Sequence, residues 1–198
     1  MGLTILTGSI PLKTENVNHT KIVLDKIIDS VYTTKLDAKN YSDTANFILD
    51  RLPDWVLKSN VLNGISLLNK YKIDKRLNPL YHEADFNGDG NLDVALSIEQ
   101  INTGKKGFAI IHGVTKEIYI LGAGLKIKNG LSDDMGYVDI WKINRKKINE
   151  PGLEENTGTG EKGELILDLP SLQIEKSDLG GGQIYWDGKT YAYFHQTC

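Results

Sequence analysis

The stretch that decides the reading of this chain is Asp85-Phe86-Asn87-Gly88-Asp89-Gly90-Asn91-Leu92-Asp93, followed directly by Val94-Ala95-Leu96-Ser97-Ile98. Side-chain oxygens fall at positions 1, 3, 5 and 9 of this loop, and Asn91 at position 7 offers a backbone carbonyl. Calcium is a hard ion that takes six to eight oxygens, so a tight loop presenting one at every second residue can wrap it. Gly90, at position 6, permits the sharp turn that brings both halves of the loop together. Without a cation, the carboxylates of Asp85, Asp89 and Asp93 would repel one another at close range. The expected ligands are therefore Asp85, Asn87, Asp89, Asn91 and Asp93, and the expected cofactor is calcium. Magnesium keeps more of its water and suits the loop less. The competing reading is an Asx-rich turn that holds no metal.

The residues directly after the loop set the fold expectation. An EF-hand places a bidentate glutamate at position 12 and exits through a helix; here position 12 is Leu96, and Val94 to Ile98 reads as a strand. The loop therefore opens a sheet. Further strands are expected at 108–112, 117–121, 137–142, 164–169, 172–175, 183–186 and 190–194, separated by turn-forming residues. Asp187-Gly188 between the last two predicts a type I′ hairpin. Upstream, Val23, Leu24, Ile27, Ile28 and Val31 recur at helical spacing behind Thr20 as N-cap. A second helix is expected from Ser42 to Leu52, stopped by Pro53, and a short turn from Asp54 carries Trp55 and Leu57. The fold expected is α+β, with N-terminal helices followed by an antiparallel β-sheet or small sandwich of seven or eight strands. Residues 1–80 would form a helical or irregular part and 81–198 the calcium-loop β-rich part, packed as one compact domain.

Two resemblances bear on the same residues. The run DFNGDGNLDVAL, Asp85 to Leu96, resembles the calcium loop of FG-GAP or VCBS-type repeats, found in integrin-like propellers and bacterial surface proteins. It implies a strand-flanked calcium site in an extracytoplasmic setting. A propeller needs several such motifs and the chain has one, so the likeness covers about a dozen residues and does not extend to the propeller fold. More loosely, DFNGDGNLDVAL, GFAIIHG, YILGAG, SDDMGYVDIW and GGQIYWDGKTYAYF together are similar to bacterial exported or lipoprotein-like proteins of uncharacterised function. That resemblance spans Asp85 to Phe194 and implies a shared domain without supplying an activity.

Composition excludes several classes. A net charge of −3 over 198 residues lacks the basic stripe of a nucleic-acid module, and Arg145-Lys146-Lys147 reads as a solvated run. No apolar stretch approaches the ~20 residues of a membrane span. The single cysteine, Cys198, allows no disulfide within the chain. His19, His82, His112 and His195 form no zinc-ligand spacing; His82 is placed near enough to support the calcium loop, or simply sits in a connecting segment. Gly122-Ala123-Gly124 reads as a strand-ending turn and not a dinucleotide loop. Asp133-Asp134 reads as a solvated turn, with paired-carboxylate chemistry as the sharper alternative. Asn149 to Gly163 is an acidic loop holding Glu150, Glu154, Glu155 and Glu161. Tyr185, Trp186, Tyr191, Tyr193 and Phe194 crowd the final hairpin, explained by cross-strand packing or by a partner surface.

These readings converge on a non-catalytic, calcium-stabilised binding protein, periplasmic or cell-surface, with any export signal already removed. The expected partner is a protein, in one version a secreted bacterial toxin that this chain inhibits as an immunity protein. The enzyme alternative is a cell-wall or glycan hydrolase using Asp133, Asp134 and glutamates of the acidic loop. A third reading is a structural module of a surface assembly.

Overall fold

A computed structural model describes residues 51–59, 61–62, 70–130, 132–152 and 163–196. They belong to one compact unit, Asp43–Cys198. One short helix, α1 (Asp54–Lys58), precedes eleven strands among the described residues. These are β1 (Tyr71–Ile73), β2 (Tyr81–Ala84), β3 (Asp93–Gln100), β4 (Lys106–Ile111), β5 (Ile118–Gly122) and β6 (Ile140–Asn144). They continue as β7 (Ile148–Asn149), β8 (Leu165–Ile166), β9 (Ser171–Lys176), β10 (Gly180–Trp186) and β11 (Tyr191–Gln196). All pairings between them are antiparallel.

The fold is mainly β, which corrects the α+β expectation. The expected helices over 20–31 and 42–50 lie outside the described residues, and 51–52 form a turn and bend. The Asp54 turn is present as α1. Extra strands account for the rest of the difference. Tyr71–Ile73 and Tyr81–Ala84 precede the loop, and both pair with the same side of β3, Tyr71 opposite Gln100 and Tyr81 opposite Leu96. Both are short, three and four residues, and too brief to show a period in sequence. The expected strand over 164–169 shrinks to the two residues of β8.

β3 lies at the centre of the first sheet, ordered β1-β3-β4-β5 with β2 also on β3; the second sheet runs β11-β10-β9-β6. The two face each other across one core. Ala95, Phe108, Ile110 and Leu121 from the first meet Trp141, Leu172, Ile174, Ile184, Tyr191 and Tyr193 from the second. The Phe108 and Trp141 rings stack with centroids 5.4 Å apart. Alternation then sends Val94, Leu96, Ile98, Ala109 and Ile111 to the opposite face of the first sheet, where Leu52, Val56 and Val61 cover them. β3 is thus buried on both faces, which is why it reads as a near-continuous apolar run.

The last hairpin departs from the type I′ expectation. Trp186 pairs with Tyr191, leaving four residues in the connection, and only Gly188 takes a positive φ, +92°. Asp187 closes it: Oδ1 accepts the N–H groups of Lys189 (2.9 Å) and Thr190 (2.8 Å), while Oδ2 pairs with Lys128 Nζ at 2.7 Å. Gly122-Ala123-Gly124 ends β5 as a turn, all three residues at positive φ.

Phe108→Ala removes a fully buried ring between the sheets and is expected to cost about 3–5 kcal/mol, read from urea unfolding. Acid should also weaken the fold. The Lys176 ammonium and the Ser177 amide draw the Asp139 carboxyl down to about 2. Lys128 and the Thr190 and Lys189 amides do the same to Asp187, also to about 2. A depressed carboxylate contributes stability that is complete above its ordinary pKa near 4 and disappears as pH falls toward 2. The urea midpoint should therefore drop over that window, and the drop should shrink in Asp139→Asn/Asp187→Asn, modestly because both groups face solvent.

Candidate metal centre

The loop Asp85–Leu92 joins β2 to β3 across the paired residues Ala84 and Asp93. Gly88 and Gly90 take φ of +79° and +83°, the left-handed region that folds the loop back on itself. Leu169, in the segment between β8 and β9, lies against Gly88, so a side chain there would have to displace its methyls as well as adopt the positive φ.

The carboxylates organise the loop backbone. Asp85 Oδ1 accepts the N–H of Gly88 (2.7 Å) and Asp89 (3.1 Å), and Oδ2 that of Gly90 (2.9 Å). Asn87 Oδ1 accepts the Asp89 N–H at 3.0 Å, and its Nδ2 donates to Asp89 Oδ2 at 3.1 Å. Asp89 Oδ1 accepts the Asn91 N–H at 2.9 Å. The Asn87 amide holds the exposed Asp89 carboxyl below its ordinary range.

Asp93 differs from the others because it is fully buried. Its Oδ2 takes the Phe86 (2.9 Å) and Asn87 (3.3 Å) N–H groups; its Oδ1 takes the Gly113 N–H at 2.8 Å. One side chain thus ties both ends of the loop to the β4–β5 turn. Burial pushes its carboxyl above the usual range, against the opposing pull of those amides and of His112. Among the described residues no lysine, arginine or histidine forms an ion pair with Asp85, Asp89 or Asp93.

As a donor set the loop suits calcium: hard oxygens only, with three carboxylates that form no ion pair among the described residues. In the geometry present the carboxylates turn onto the loop's own amides, and among the described residues no three Asp, Glu, His or Cys side chains converge as metal ligands do. Asp85, Asn87, Asp89, the Asn91 carbonyl and Asp93 would hold the ion by swinging toward it. Carboxylate oxygens can keep an amide bond on one lone pair while giving the other to the ion.

Sequence reasoning missed His112. The residue is buried, and its Nε2 lies 2.9 Å from Tyr191 Oη, joining the end of the first sheet to the second. Tyr119, Trp186 and Tyr191 pack around it with centroids 4.7–5.9 Å away. Burial, then the nearby negative loop, pushes the Tyr191 hydroxyl up, so it stays neutral. The His112-Gly113 pair after an apolar run was the available signal. His82 does not serve the loop: its ring packs edge-on against Trp141 at 4.5 Å.

The other candidates separate. Asp133 pairs with Lys105 Nζ at 2.6 Å, whereas Asp134 Oδ1 caps the N–H groups of Lys106 and Gly136, each at 2.9 Å. They point to different partners and act as turn and clasp. Tyr191, Tyr193 and Phe194 are buried and Trp186 is half-buried against the core, so packing accounts for these four, whereas Tyr185 is half-buried. Glu154, Glu155 and Glu161 lie outside the described residues. Searches across protein families, curated proteins and solved structures return no match to this chain.

Gly113 is where the β4–β5 turn docks, and a Cβ there would collide with the Leu92 carbonyl oxygen. Gly113→Ala should therefore pull the Asp93 anchor apart, costing roughly 1–3 kcal/mol in denaturant unfolding.

Proposed function

We propose that this chain is a non-catalytic, calcium-stabilised binding domain of an extracytoplasmic bacterial protein. The observation that supports this reading is the Asp93 anchor: a buried, desolvated carboxylate in one loop with Asp85 and Asp89, none of which forms an ion pair among the described residues. An ion there clamps the entry to β3, the strand on which the first sheet is built. A rigid clamp in a core hairpin suits stability better than sensing, because little of the surrounding structure is free to move.

The partner in this reading is a protein. Leu92 and Val114, 54% and 55% exposed, stand where the calcium loop meets the β4–β5 turn, and exposed aliphatic side chains rimmed by polar groups are the chemistry of such contacts. Inhibition of a secreted toxin is the specific form we assign to it. A stoichiometric complex retained through size exclusion, and weakened by Leu92→Asp/Val114→Asp, is the expected result; no complex, or one indifferent to both changes, removes the protein-partner reading.

Calcium itself is tested by melting. At a concentration about 100-fold above Kd, an ion bound only to the folded chain adds about 2.7 kcal/mol, or roughly 5–11 °C for a domain of this size. Chelator should abolish that gain, and Asp89→Ala, an exposed position, should lack it. No shift in the wild type, or an equal shift in the variant, would end the calcium reading.

A further inference from the structure

The second sheet has an unusual outer face. Alternation puts Trp141, Leu172, Ile174, Ile184, Tyr191 and Tyr193 into the core, so the opposite side presents Asn144, Ser171, Gln173, Gln183 and Gln196, with Tyr185, Ala192 and Phe194 beside them on the last hairpin. Register sets them adjacent: Asn144 opposite Ser171, Gln173 opposite Gln183. The short β7–β8 ribbon brings Asn149 to them, and a cavity of about 240 Å³ opens between, with Lys146, Ile148 and Glu150 on its wall.

Hydrogen-bond capacity separates the floor from the lining. Gln183 is fully buried, and both its N–H bonds are used, on Asn149 Oδ1 and Gln196 Oε1 (2.8 Å each), while its oxygen takes the Ser171 hydroxyl at 2.6 Å. Asn149 is equally committed: its oxygen also accepts Asn144 Nδ2 at 2.9 Å, and its nitrogen donates to the carbonyls of Lys146 (3.0 Å) and Leu165 (3.3 Å). These two amides hold the others in place. Around them, among the described residues, Asn144 gives one N–H to Asn149 and Gln196 one to the Glu150 carbonyl, and each retains a second. Gln173 donates once, to Glu175, and retains its carbonyl oxygen and an N–H.

We propose that this cavity binds a saccharide. A sugar hydroxyl donates and accepts at once, and fixed carboxamides supply both roles without charge. An anion would call for donors alone and a cation for acceptors alone; among the described lining residues the one ammonium and one carboxylate, Lys146 and Glu150, offset one another. Among the described lining residues Glu150 is the one carboxylate, whereas glycoside hydrolysis ordinarily uses two flanking the bond; the proposal is of binding. It shares no residue with the calcium loop and does not rest on that ion.

Saturation-transfer NMR on the full chain with glucose, galactose, N-acetylglucosamine and cellobiose, each at about 10 mM, tests this, with free glutamine as the non-sugar probe. Transfer to at least one saccharide is expected, with affinity falling about tenfold in Gln173→Leu and in the exposed Lys146→Ala. Melting temperature checks that both variants fold; should Gln173→Leu fail, Lys146→Ala decides alone. No transfer to any saccharide, transfer undiminished in the folded variants, or transfer to glutamine in preference to the sugars overturns the proposal.

Discussion

The Asp93 carboxylate sits at the first residue of β3 with no solvent exposure and three backbone N–H groups on its two oxygens. Two of those amides come from the loop before it and one from the turn twenty residues after it. A buried carboxylate is costly to desolvate, and it is tolerated only where fixed dipoles or a cation replace its water. Here the amides do part of that. Their geometry in turn fixes where β2, β3 and the β4–β5 turn meet, and the rest of the first sheet is assembled on that junction.

From the junction the two sheets acquire different characters. Every face that β3 and β4 present is covered, one by the second sheet and the other by α1 and its neighbours. The second sheet has one apolar face and one on which amides and a hydroxyl stand beside Tyr185, Ala192 and Phe194, with Gln183 buried among them. Buried amides of that kind must be satisfied in full, since in a low-dielectric interior each unmade bond costs more than a made one returns. The network achieves this by drawing Asn149 and the β7–β8 ribbon onto the sheet, which encloses the cavity. The His112–Tyr191 bond links the two sheets beside the loop, so the loop, the core and the aromatic cluster are mechanically continuous.

Much of the β portion was legible because its signals are local. Alternating apolar runs placed β4, β5, β9, β10 and β11 to within a few residues, and Gly122-Ala123-Gly124 was recognisable as a turn because glycines mark positive φ. β1 and β2 were invisible since three- and four-residue strands carry no period; only pairing with β3 makes them strands. The Asp187-Gly188 turn was misjudged because a local preference for two-residue loops was overridden by the Asp187 side chain, which binds two amides and Lys128.

The order of residues from Asp85 to Asp93 determined by itself that five oxygen donors would share one tight loop and that a strand would come next, because spacing and turn chemistry act between near neighbours. Tertiary structure alone decided that Asp93 would be the buried member, since its third amide comes from Gly113, and that His112, not His82, would lie beside the loop. It likewise decided that Asn144, Asn149, Gln173, Gln183 and Gln196 would meet: they are spread over more than fifty residues, antiparallel register brings four of them to one face, and the β7–β8 ribbon adds Asn149.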